Sequence, residues 1–493
     1  MKKINIKGAS WDSLFFAVAK VLTVLASIVS VKILSTGLAL EEYGTYAQAS
    51  LIDSLGISII SLGFLDALNY YFNRKDENID EDMQRKIINT IFSCEIVLGI
   101  VFALVIVLGQ EFVAKYFNNP AIKILLPVVS LLPTFSNIVL YYKRMLIGVG
   151  YAKIMAVISL VVVLVRIATI YISVYTIKNL LIIFAIIMIM DVIQIALCEF
   201  LLRKQKKGIN PFKISLKHIK PILIYSLPMG VYAMTSSFSR ELGKLVVGRM
   251  GGTEELAIYT NCSKALPLDI IVTSFAVVLI PYIYSRVAEG KKEESIDLFS
   301  SYMKVGYYSV WTLATMLLVA PSTVVSFLYA DAYVVGTPVF VIYVFDSMMR
   351  FASMHLILTA AGKTKQIMIY SITSLVLNLI LNILFYYVMG IIGPAVATLI
   401  SAAVYMYLIL SDTTKTIGAK WSEVFDFKDV TVFAASLVVM WAITFVLNRV
   451  LVRIGLHVYV SMIISMAVFG LSILGLHFKK IFGVLKKINS FKL

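Results

Sequence analysis

The run NLLIIFAIIMIMDVIQIALCEFLL (residues 179–202), followed directly by RKQKKGINPFKISLKHIK (203–220), decides the fold of this chain. The first run has the length and apolar character of one helical bilayer crossing, which needs about 20 predominantly apolar residues. The second run carries seven Lys and Arg residues and no acidic residue. An apolar run that ends in a basic connection predicts a membrane-spanning helix whose basic end lies on the cytoplasmic side.

The composition extends this pattern to the whole chain of 493 residues, of which 60% are hydrophobic and 15% are charged. Soluble domains contain about 45–50% apolar and about 25% charged residues. A soluble globular enzyme with this composition would expose a large apolar surface to water, so that class is excluded. Short alternating segments, the signature of a membrane β-barrel, are absent from the sequence. We therefore predict an all-α polytopic membrane protein.

Fourteen apolar runs, separated by short charged or Gly- and Pro-bearing breaks, predict fourteen transmembrane helices. Their expected spans are 11–35, 43–72, 85–109, 122–149, 153–176, 179–202, 220–248, 255–285, 303–330, 334–361, 364–389, 391–411, 429–449 and 456–478. With the N-terminus inside, the even-numbered connections and both termini hold 31 of the 44 Lys and Arg residues, and the outside loops hold six. This asymmetry follows the positive-inside rule and predicts that both termini are cytoplasmic. It also accounts for the net charge of +16 without a nucleic-acid partner.

An internal repeat divides the chain into two halves. EEYGTYAQAS (41–50) and EELAIYTNCS (254–263) both fit E-E-x-x-x-Y-x-x-x-S, and each joins an odd-numbered predicted helix to the next even one. Two six-helix halves inserted in the same sense imply a pseudo-twofold axis along the membrane normal, with the substrate cavity at the repeat interface. The expected organisation is a six-helix lobe, a basic cytoplasmic linker, a second six-helix lobe, and a final helix pair with a basic tail. The predicted boundaries are 1–202, 203–219, 220–412 and 413–493.

Seven basic residues lie inside the predicted spans. They are Lys20, Lys32, Arg166, Arg240, Lys244, Lys264 and Arg350. A base at a helix centre costs about 2.5–3.5 kcal/mol unless it reaches the interface or a wet cavity. Arg166 has no acidic residue nearby on its own helix, and Asp191 or Glu199 on the next helix could pair with it.

Lys32 lies near the end of predicted helix 1, from which its side chain can reach the interface. Four of the other bases are candidate substrate ligands because they lie within predicted helices 1, 7 and 8, which a two-lobed transporter turns toward its central cavity. They are Lys20, Arg240, Lys244 and Lys264. A positively charged, water-filled cavity requires an anionic substrate, and Arg and Lys pair well with the oxygens of a diphosphate. The sequence contains no P-loop, metalloprotease motif or dinucleotide-binding turn. We therefore expect a transporter and not an enzyme, with no catalytic residue, no metal site and no cofactor other than a coupling Na⁺ or H⁺.

Three further residues are candidates for ion coupling or gating. Asp53 lies on a polar stripe of predicted helix 2 with Ser50 and Ser61. Asp346 and Arg350 are four residues apart, a spacing that permits an ion pair on one helix face. A structural role of this pair and a role in substrate binding or gating are both open at this stage.

The segments ILSTGLALEEYGTYAQAS (33–50) and YSLPMGVYAM (225–234) resemble the corresponding segments of bacterial polysaccharide flippases. These flippases belong to the multidrug/oligosaccharidyl-lipid/polysaccharide exporter superfamily. The resemblance covers essentially the whole chain and implies a V-shaped, two-lobed fold like that of multidrug exporters of the superfamily. It implies a protein of the bacterial cytoplasmic membrane that flips undecaprenyl-diphosphate-linked units for O-antigen, capsule or related glycans. Relatives place basic residues of the central helices around the diphosphate, whereas helix 2 of this chain offers the acidic Asp53.

Three alternatives compete with this interpretation. A multidrug/cation antiporter of the same superfamily would hold cations on buried acids, for which Asp53, Asp66, Glu95 and Asp191 are available. A peptidoglycan lipid-precursor flippase would bind the same kind of lipid anchor. A scaffold subunit of a polysaccharide assembly complex would not need the polar helix stripes. The expected partners of a flippase are its lipid-linked glycan, membrane lipids, and the glycosyltransferases and polymerase of its pathway, and we expect a monomer.

Overall fold

The computed structural model describes residues 6–73, 80–205, 207–264, 266 and 268–490, apart from the side chains of 6–21, 73, 228, 229, 270, 277, 278, 281, 485 and 488–490. Every regular element in these residues is a helix. In chain order the α-helices are α1 (Ile6–Gly37), α2 (Leu40–Ser61), α3 (Phe64–Asn73), α4 (Glu81–Leu108), α5 (Gln110–Tyr116), α6 (Leu126–Val129), α7 (Leu132–Gly148), α8 (Ala152–Ile172), α9 (Leu180–Lys204), α10 (Leu216–Met250), α11 (Gly252–Cys262), α12 (Ile270–Ala288), α13 (Lys292–Gly306), α14 (Thr312–Leu317), α15 (Pro321–Leu328), α16 (Thr337–Met349), α17 (Leu356–Ala360), α18 (Thr364–Met389), α19 (Ile392–Ile417), α20 (Trp421–Val424), α21 (Phe427–Arg453) and α22 (Val458–Ser490).

The chain is therefore an all-α polytopic membrane protein, as the composition predicts. Eight helices of the described part are long and apolar enough to cross a membrane. The number rises to ten if each of two bent pairs forms one span, α2 with α3 at 49° and the α13–α14 segment with α15 at 86°. The predicted number of fourteen spans remains a prediction.

Besides the two bent pairs, which interrupt the predicted spans 43–72 and 303–330, three more of the predicted continuous helices are broken in the structure. The span 122–149 divides at Ser130 and Leu131, because the second residue of both α6 and α7 is a proline, which lacks the N–H needed inside a helix. The span 255–285 divides after Cys262, where Pro267 in the sequence disfavours helical conformation at Leu266. The span 334–361 divides between α16 and α17.

The order of helices repeats along the chain. Matched helices begin 212 residues apart: α2 and α11 at Leu40 and Gly252, α8 and α18 at Ala152 and Thr364, α9 and α19 at Leu180 and Ile392. The left-handed turns recur as well, since Gly150 and Gly362 both precede a matched helix with φ of +94° and +72°. Lys178 and Gly390 form a second such pair, with φ of +55° and +57°. The repeat thus includes the turns that separate the helices, while the superposition of two six-helix lobes remains a prediction.

By contacts among its helices the chain forms two compact units, Met1–Ala257 and Ile258–Leu493. In the first unit α1 packs on α8, α7 packs on α9, and α10 runs along α2, α3 and α4. In the second unit α18 with α19 and α21 with α22 form helical hairpins, and α12 packs on α13. The boundary between the units falls within α11, so α10 belongs by contact to the first unit.

The crossing of α10 over the bend between α2 and α3 depends on two glycines. Gly63, at the bend, has φ of +77°, and a Cβ built on it would lie 2.3 Å from Ser226 O and 2.7 Å from Gly230 N. A Cβ on Gly230 would in turn lie 2.3 Å from the carbonyl carbon of Leu62. The two backbones touch, and any side chain at either position would force them apart.

We expect Gly63→Ala to lower the melting temperature of the purified protein substantially more than Gly150→Ala does. Both glycines have positive φ, which costs an L-residue roughly 1–2 kcal/mol. Only Gly63 meets backbone atoms, because a Cβ on Gly150 has nothing within 4 Å. Thermal unfolding in detergent measures both variants, and equal losses would show that the contact between the bend and α10 does not limit stability.

Candidate functional site

The polar contact between α2 and α10 lies in the first unit and is built from residues one helical turn apart. On α2, Ser58 Oγ donates to Ser237 Oγ at 2.7 Å, and Ser54 Oγ donates to Glu241 Oε1 at 3.3 Å. Residues four apart project from the same face of a helix. Both contacts therefore lie on one seam, which begins at the Gly63 bend and runs toward the C-terminal end of α10.

A cluster of three charges follows along α10. Lys244 Nζ donates to Glu241 Oε2 at 2.7 Å, and the two side chains are 21% and 14% exposed. Arg240 is exposed, and its Nη1 donates to Ser236 Oγ at 3.0 Å. The cluster contains two bases and one acid, so its own formal charge is +1, and Arg240 is its exposed member.

The position of Arg240 along α10 indicates which surroundings suit its charged group. It precedes Met250, the last residue of α10, by ten residues, or about 15 Å at 1.5 Å per residue. The sequence predicts that residues 220–248 span the bilayer, whose hydrocarbon core is about 30 Å thick, and on that prediction Arg240 lies within the core. Because an exposed guanidinium in lipid at that depth is costly, Arg240 is suited to a water-filled space and to an anion within it.

Asp53 directly precedes Ser54 on α2, but its surroundings differ from those of Ser54. Its Oδ1 is buried and has no hydrogen-bond partner among the described residues. The charged side chains that act on it are Arg166 of α8 and Asp191 of α9. Asp53 therefore lies on the side of α2 toward α8 and α9, and the serines make the contact with α10.

Arg166 lies near Asp191, one of its two predicted partners, and the pairing itself remains a prediction. Both residues line one small cavity between α8 and α9. Asp191 accepts hydrogen bonds from Ser136 Oγ at 3.0 Å and Gln194 Nε2 at 3.1 Å. Glu199, the other candidate, pairs with Arg203 at 2.6 Å. The first unit thus holds a second polar cluster, formed by residues of α7, α8 and α9.

The other predicted phosphate ligands are placed as follows. The backbone of Lys20 is part of α1, but its side chain lies outside the described residues. Lys264 was expected inside a helix, and the structure corrects this: it lies in the break between α11 and α12, in the second unit, and is exposed. A base in such a break can approach a ligand with less constraint from a helix.

Asp346 and Arg350 form the ion pair that their spacing predicts, in the second unit. Arg350 Nε lies 3.0 Å from both carboxylate oxygens of Asp346. Arg350 is the cap residue after α16 and not part of a continuous helix, which corrects the expected span. Two aromatic side chains form hydrogen bonds to the backbone where the helix is interrupted. Trp311 Nε1 donates to Met348 O at 2.8 Å, and Ser353 N donates to Tyr302 Oη at 3.0 Å.

Sequence reasoning gave Glu95 no role beyond that of an available acid, yet it is completely buried in the first unit. Tyr141 Oη donates to its Oε2 and Asn137 Nδ2 to its Oε1, each at 2.7 Å. Asn137 also donates to Ile57 O on α2 at 3.1 Å. The network ties α4 and α7 to the helix that carries Ser54 and Ser58. The signal for this network in the sequence is an acidic residue inside an apolar run, with no basic residue one helical turn away.

We expect Glu95→Ala to destabilise the protein, because it leaves the buried Tyr141 hydroxyl without this acceptor and Asn137 without one of two. A buried polar group that loses its partner costs about 1–3 kcal/mol. Glu95→Gln keeps an acceptor oxygen, so its loss should be smaller. Thermal unfolding of both variants against wild type is the measurement, and an alanine variant that melts with wild type would contradict this role.

Comparison with known proteins gives both a family and a fold. Residues 33–338, more than half of the chain, match the model of a family described as polysaccharide biosynthesis protein. No curated protein matches the chain significantly.

Three solved structures show the fold. A lipid II flippase MurJ in an inward closed conformation is 14% identical, with a TM-score of 0.69 over 96% of this chain and 99% of its own. An inward-facing multidrug resistance MATE family transporter of the MOP superfamily is 14% identical, with a TM-score of 0.63 over 80% of this chain and 94% of its own. The MATE multidrug transporter DinF-BH is 16% identical, with a TM-score of 0.60 over 83% of this chain and 96% of its own. This chain has the fold of these membrane transporters.

Proposed function

The chain belongs to the polysaccharide biosynthesis protein family, and on that premise we propose that it flips polyprenyl-diphosphate-linked oligosaccharide units across the bacterial cytoplasmic membrane. The movement is from the cytoplasmic to the outer leaflet, by alternating access, for O-antigen, capsule or a related polysaccharide. The family and the transporter fold support movement of a substrate and not its chemical conversion. The diphosphate is the part of the substrate that the charged residues of the first unit would recognise.

The exposed Arg240 guanidinium carries the proposal. It is exposed on α10 beside the Glu241–Lys244 pair. Arg presents several N–H donors in a planar fork that matches phosphate oxygens. Arg240 binds the diphosphate directly, and Lys244 moves from Glu241 to the substrate when the anion arrives. Lys20 and Lys264 are the remaining proposed phosphate-binding residues.

We assign ion coupling to an acidic residue of the first unit and gating to an ion pair of the second unit. Asp53, with one buried carboxylate oxygen that has no partner among the described residues, is the proposed binding residue for a coupling Na⁺ or H⁺. The Asp346–Arg350 pair at the end of α16 is the proposed gate of the second unit, because a pair at a helix break can open without unwinding a helix. The glycosyltransferases and polymerase of the pathway are the proposed partners, and the chain acts as a monomer.

Reconstitution in proteoliposomes tests the proposal. A fluorescent polyprenyl-diphosphate-linked oligosaccharide should become accessible to an impermeant glycan-cleaving enzyme on the opposite leaflet, at a rate that requires the protein. A peptidoglycan lipid precursor and a lipophilic cation dye are assayed in parallel. Transport of the dye alone would establish the antiporter alternative, and transport of the peptidoglycan precursor alone would assign the substrate to that pathway.

The orientation of the chain gives a further prediction. Single cysteines at the exposed positions Lys213 and Lys115, in a background without Cys94, Cys198 and Cys262, should react with an impermeant maleimide from opposite sides. The basic asymmetry of the connections predicts that position 213 reacts from the cytoplasmic side and position 115 from the outside. Labelling of both positions from one side of the membrane would contradict the topology.

A further inference from the structure

The turn at residues 209–215, between α9 and α10, is held firmly against α4. Asn210 N donates to Asn89 Oδ1 at 2.9 Å, and Ser215 N donates to Thr90 Oγ1 at 3.0 Å. Ser93 Oγ donates to the Pro211 carbonyl. Side chains of α4 thus hold the backbone of the turn near both of its ends, so the turn has a defined conformation.

This fixed turn displays a large apolar side chain to the surroundings. Phe212 is 95% exposed, the highest value among the exposed large hydrophobic side chains, and Leu216 at the start of α10 is 75% exposed. Neither contributes to the core of the first unit. Three lysines alternate with these side chains at positions 213, 217 and 220, and all three are exposed.

The position of the turn along α4 shows its level relative to the membrane. α4 begins with the polar stretch Glu81–Lys86 and becomes apolar from Ile87 onward. The turn bonds to side chains three to seven residues beyond Lys86, at the boundary between the polar and apolar parts of the helix. Phe212 therefore lies at the depth of the headgroup region, where aromatic rings and flanking lysines are favoured.

The charge of this surface is positive. Lys213, Lys217 and Lys220 have no acidic partner within hydrogen-bonding distance among the described residues. The Asp82 carboxylate, whose charge interacts with that of Lys213, already pairs with Lys86 at 2.6 Å. An apolar side chain set among uncompensated lysines at a membrane boundary matches a negatively charged lipid surface.

We propose that Phe212, Leu216 and the lysines at 213, 217 and 220 form a binding surface for the headgroups of anionic phospholipids. Phe212 enters the boundary between headgroups and acyl chains, and the ammonium groups pair with lipid phosphates. The surface is separate from the α2–α10 seam and does not depend on what the protein transports. It anchors the first turn of α10, the helix that also carries Arg240, and so connects the lipid composition of the leaflet to the helix of the candidate site.

Fluorescence in nanodiscs tests the insertion of Phe212. Phe212→Trp is compared with Glu293→Trp, a control at an exposed residue in the first turn of α13, after subtraction of the wild-type spectrum. In nanodiscs with brominated lipids, the tryptophan at 212 should emit at shorter wavelength and lose intensity, while the control should do neither. Water-like, unquenched emission at 212 overturns the proposal.

Lipid competition tests the charge. The triple variant Lys213→Gln, Lys217→Gln, Lys220→Gln should lose about tenfold or more of the preference for phosphatidylglycerol over phosphatidylcholine, measured by native mass spectrometry. A matched triple variant at the two ends of α13, Lys291→Gln, Lys292→Gln, Lys304→Gln, should keep it. An unchanged preference in the first variant overturns the proposal. Neither measurement involves flipping, so a failure here is distinct from a failure of the proposed transport function.

Discussion

Arg240→Ala should reduce glycan export per folded transporter about tenfold or more, and Arg240→Glu should abolish it. A hydrogen bond to a charged group contributes roughly 1.5–3 kcal/mol, and each 1.4 kcal/mol corresponds to a factor of ten. The side chain is exposed and donates to Ser236 on its own helix, so its removal should leave the fold largely intact. Glutamate at this position adds a negative charge where the diphosphate must bind. The measurement is export in cells, normalised to folded protein in the membrane.

Arg453→Ala is the matched control, since Arg453 is also exposed and ends α21, far from the seam in sequence. It should export at the wild-type rate. If Arg240→Ala also keeps wild-type export per folded molecule, the anion-binding role of α10 is wrong. A loss of abundance without a loss of turnover would assign Arg240 a structural role.

The sequence predicts well those features that depend on the bilayer and on local chain chemistry. The apolar runs at 364–389 and 179–202 place α18 and α9 to within a few residues, because the thickness of the hydrocarbon core sets the length of such runs. The E-E-x-x-x-Y-x-x-x-S repeat locates α2 and α11 at equivalent places in the chain. The spacing of Asp346 and Arg350 predicts their ion pair, because residues four apart on a helix are neighbours.

The sequence does not predict where the helix of a long apolar run is interrupted when side chains of other segments form hydrogen bonds to the backbone at the interruption. The gap after α16 contains no proline, and Trp311 and Tyr302, distant in sequence, bond to its free backbone groups. Since those partners come from another helix, local composition carries no sign of them. The same holds for Glu95, whose donors lie on α7.

A polar stripe in the sequence of a helix also does not show which neighbouring helix that stripe will contact. Asp53 and Ser54 are adjacent in sequence, and one residue turns about 100° round a helix. Ser54 meets Glu241 of α10, whereas Asp53 meets the charges of α8 and α9. Both faces of α2 are polar, so a choice between them requires the packing. From the sequence alone, an acidic residue on helix 2 conflicts with a cationic site. In the structure the two are compatible, because Asp53 and the serines that contact α10 lie on different faces of α2.

The pair Glu241–Lys244 allows a test that separates stability from transport. Lys244→Ala leaves the Glu241 carboxylate, which is 14% exposed, with the Ser54 hydroxyl as its only hydrogen-bond donor among the described residues, at a cost of about 1.5–3 kcal/mol. We expect that variant to lose both abundance and export. The double variant Glu241→Gln, Lys244→Met removes both charges while keeping side-chain length, and it should recover folded abundance.

If Lys244 transfers from Glu241 to the diphosphate during transport, the double variant should still export about tenfold less per folded molecule than wild type, since a lost charge-assisted bond contributes roughly 1.5–3 kcal/mol. Lys244→Arg should retain part of the activity, because it keeps the charge and can still reach Glu241. Quantified membrane protein and exported glycan, measured in the same cells, give both numbers. Should the double variant export at the wild-type rate per molecule, the pair would serve only to hold α10, and Arg240 alone would carry the anion-binding proposal.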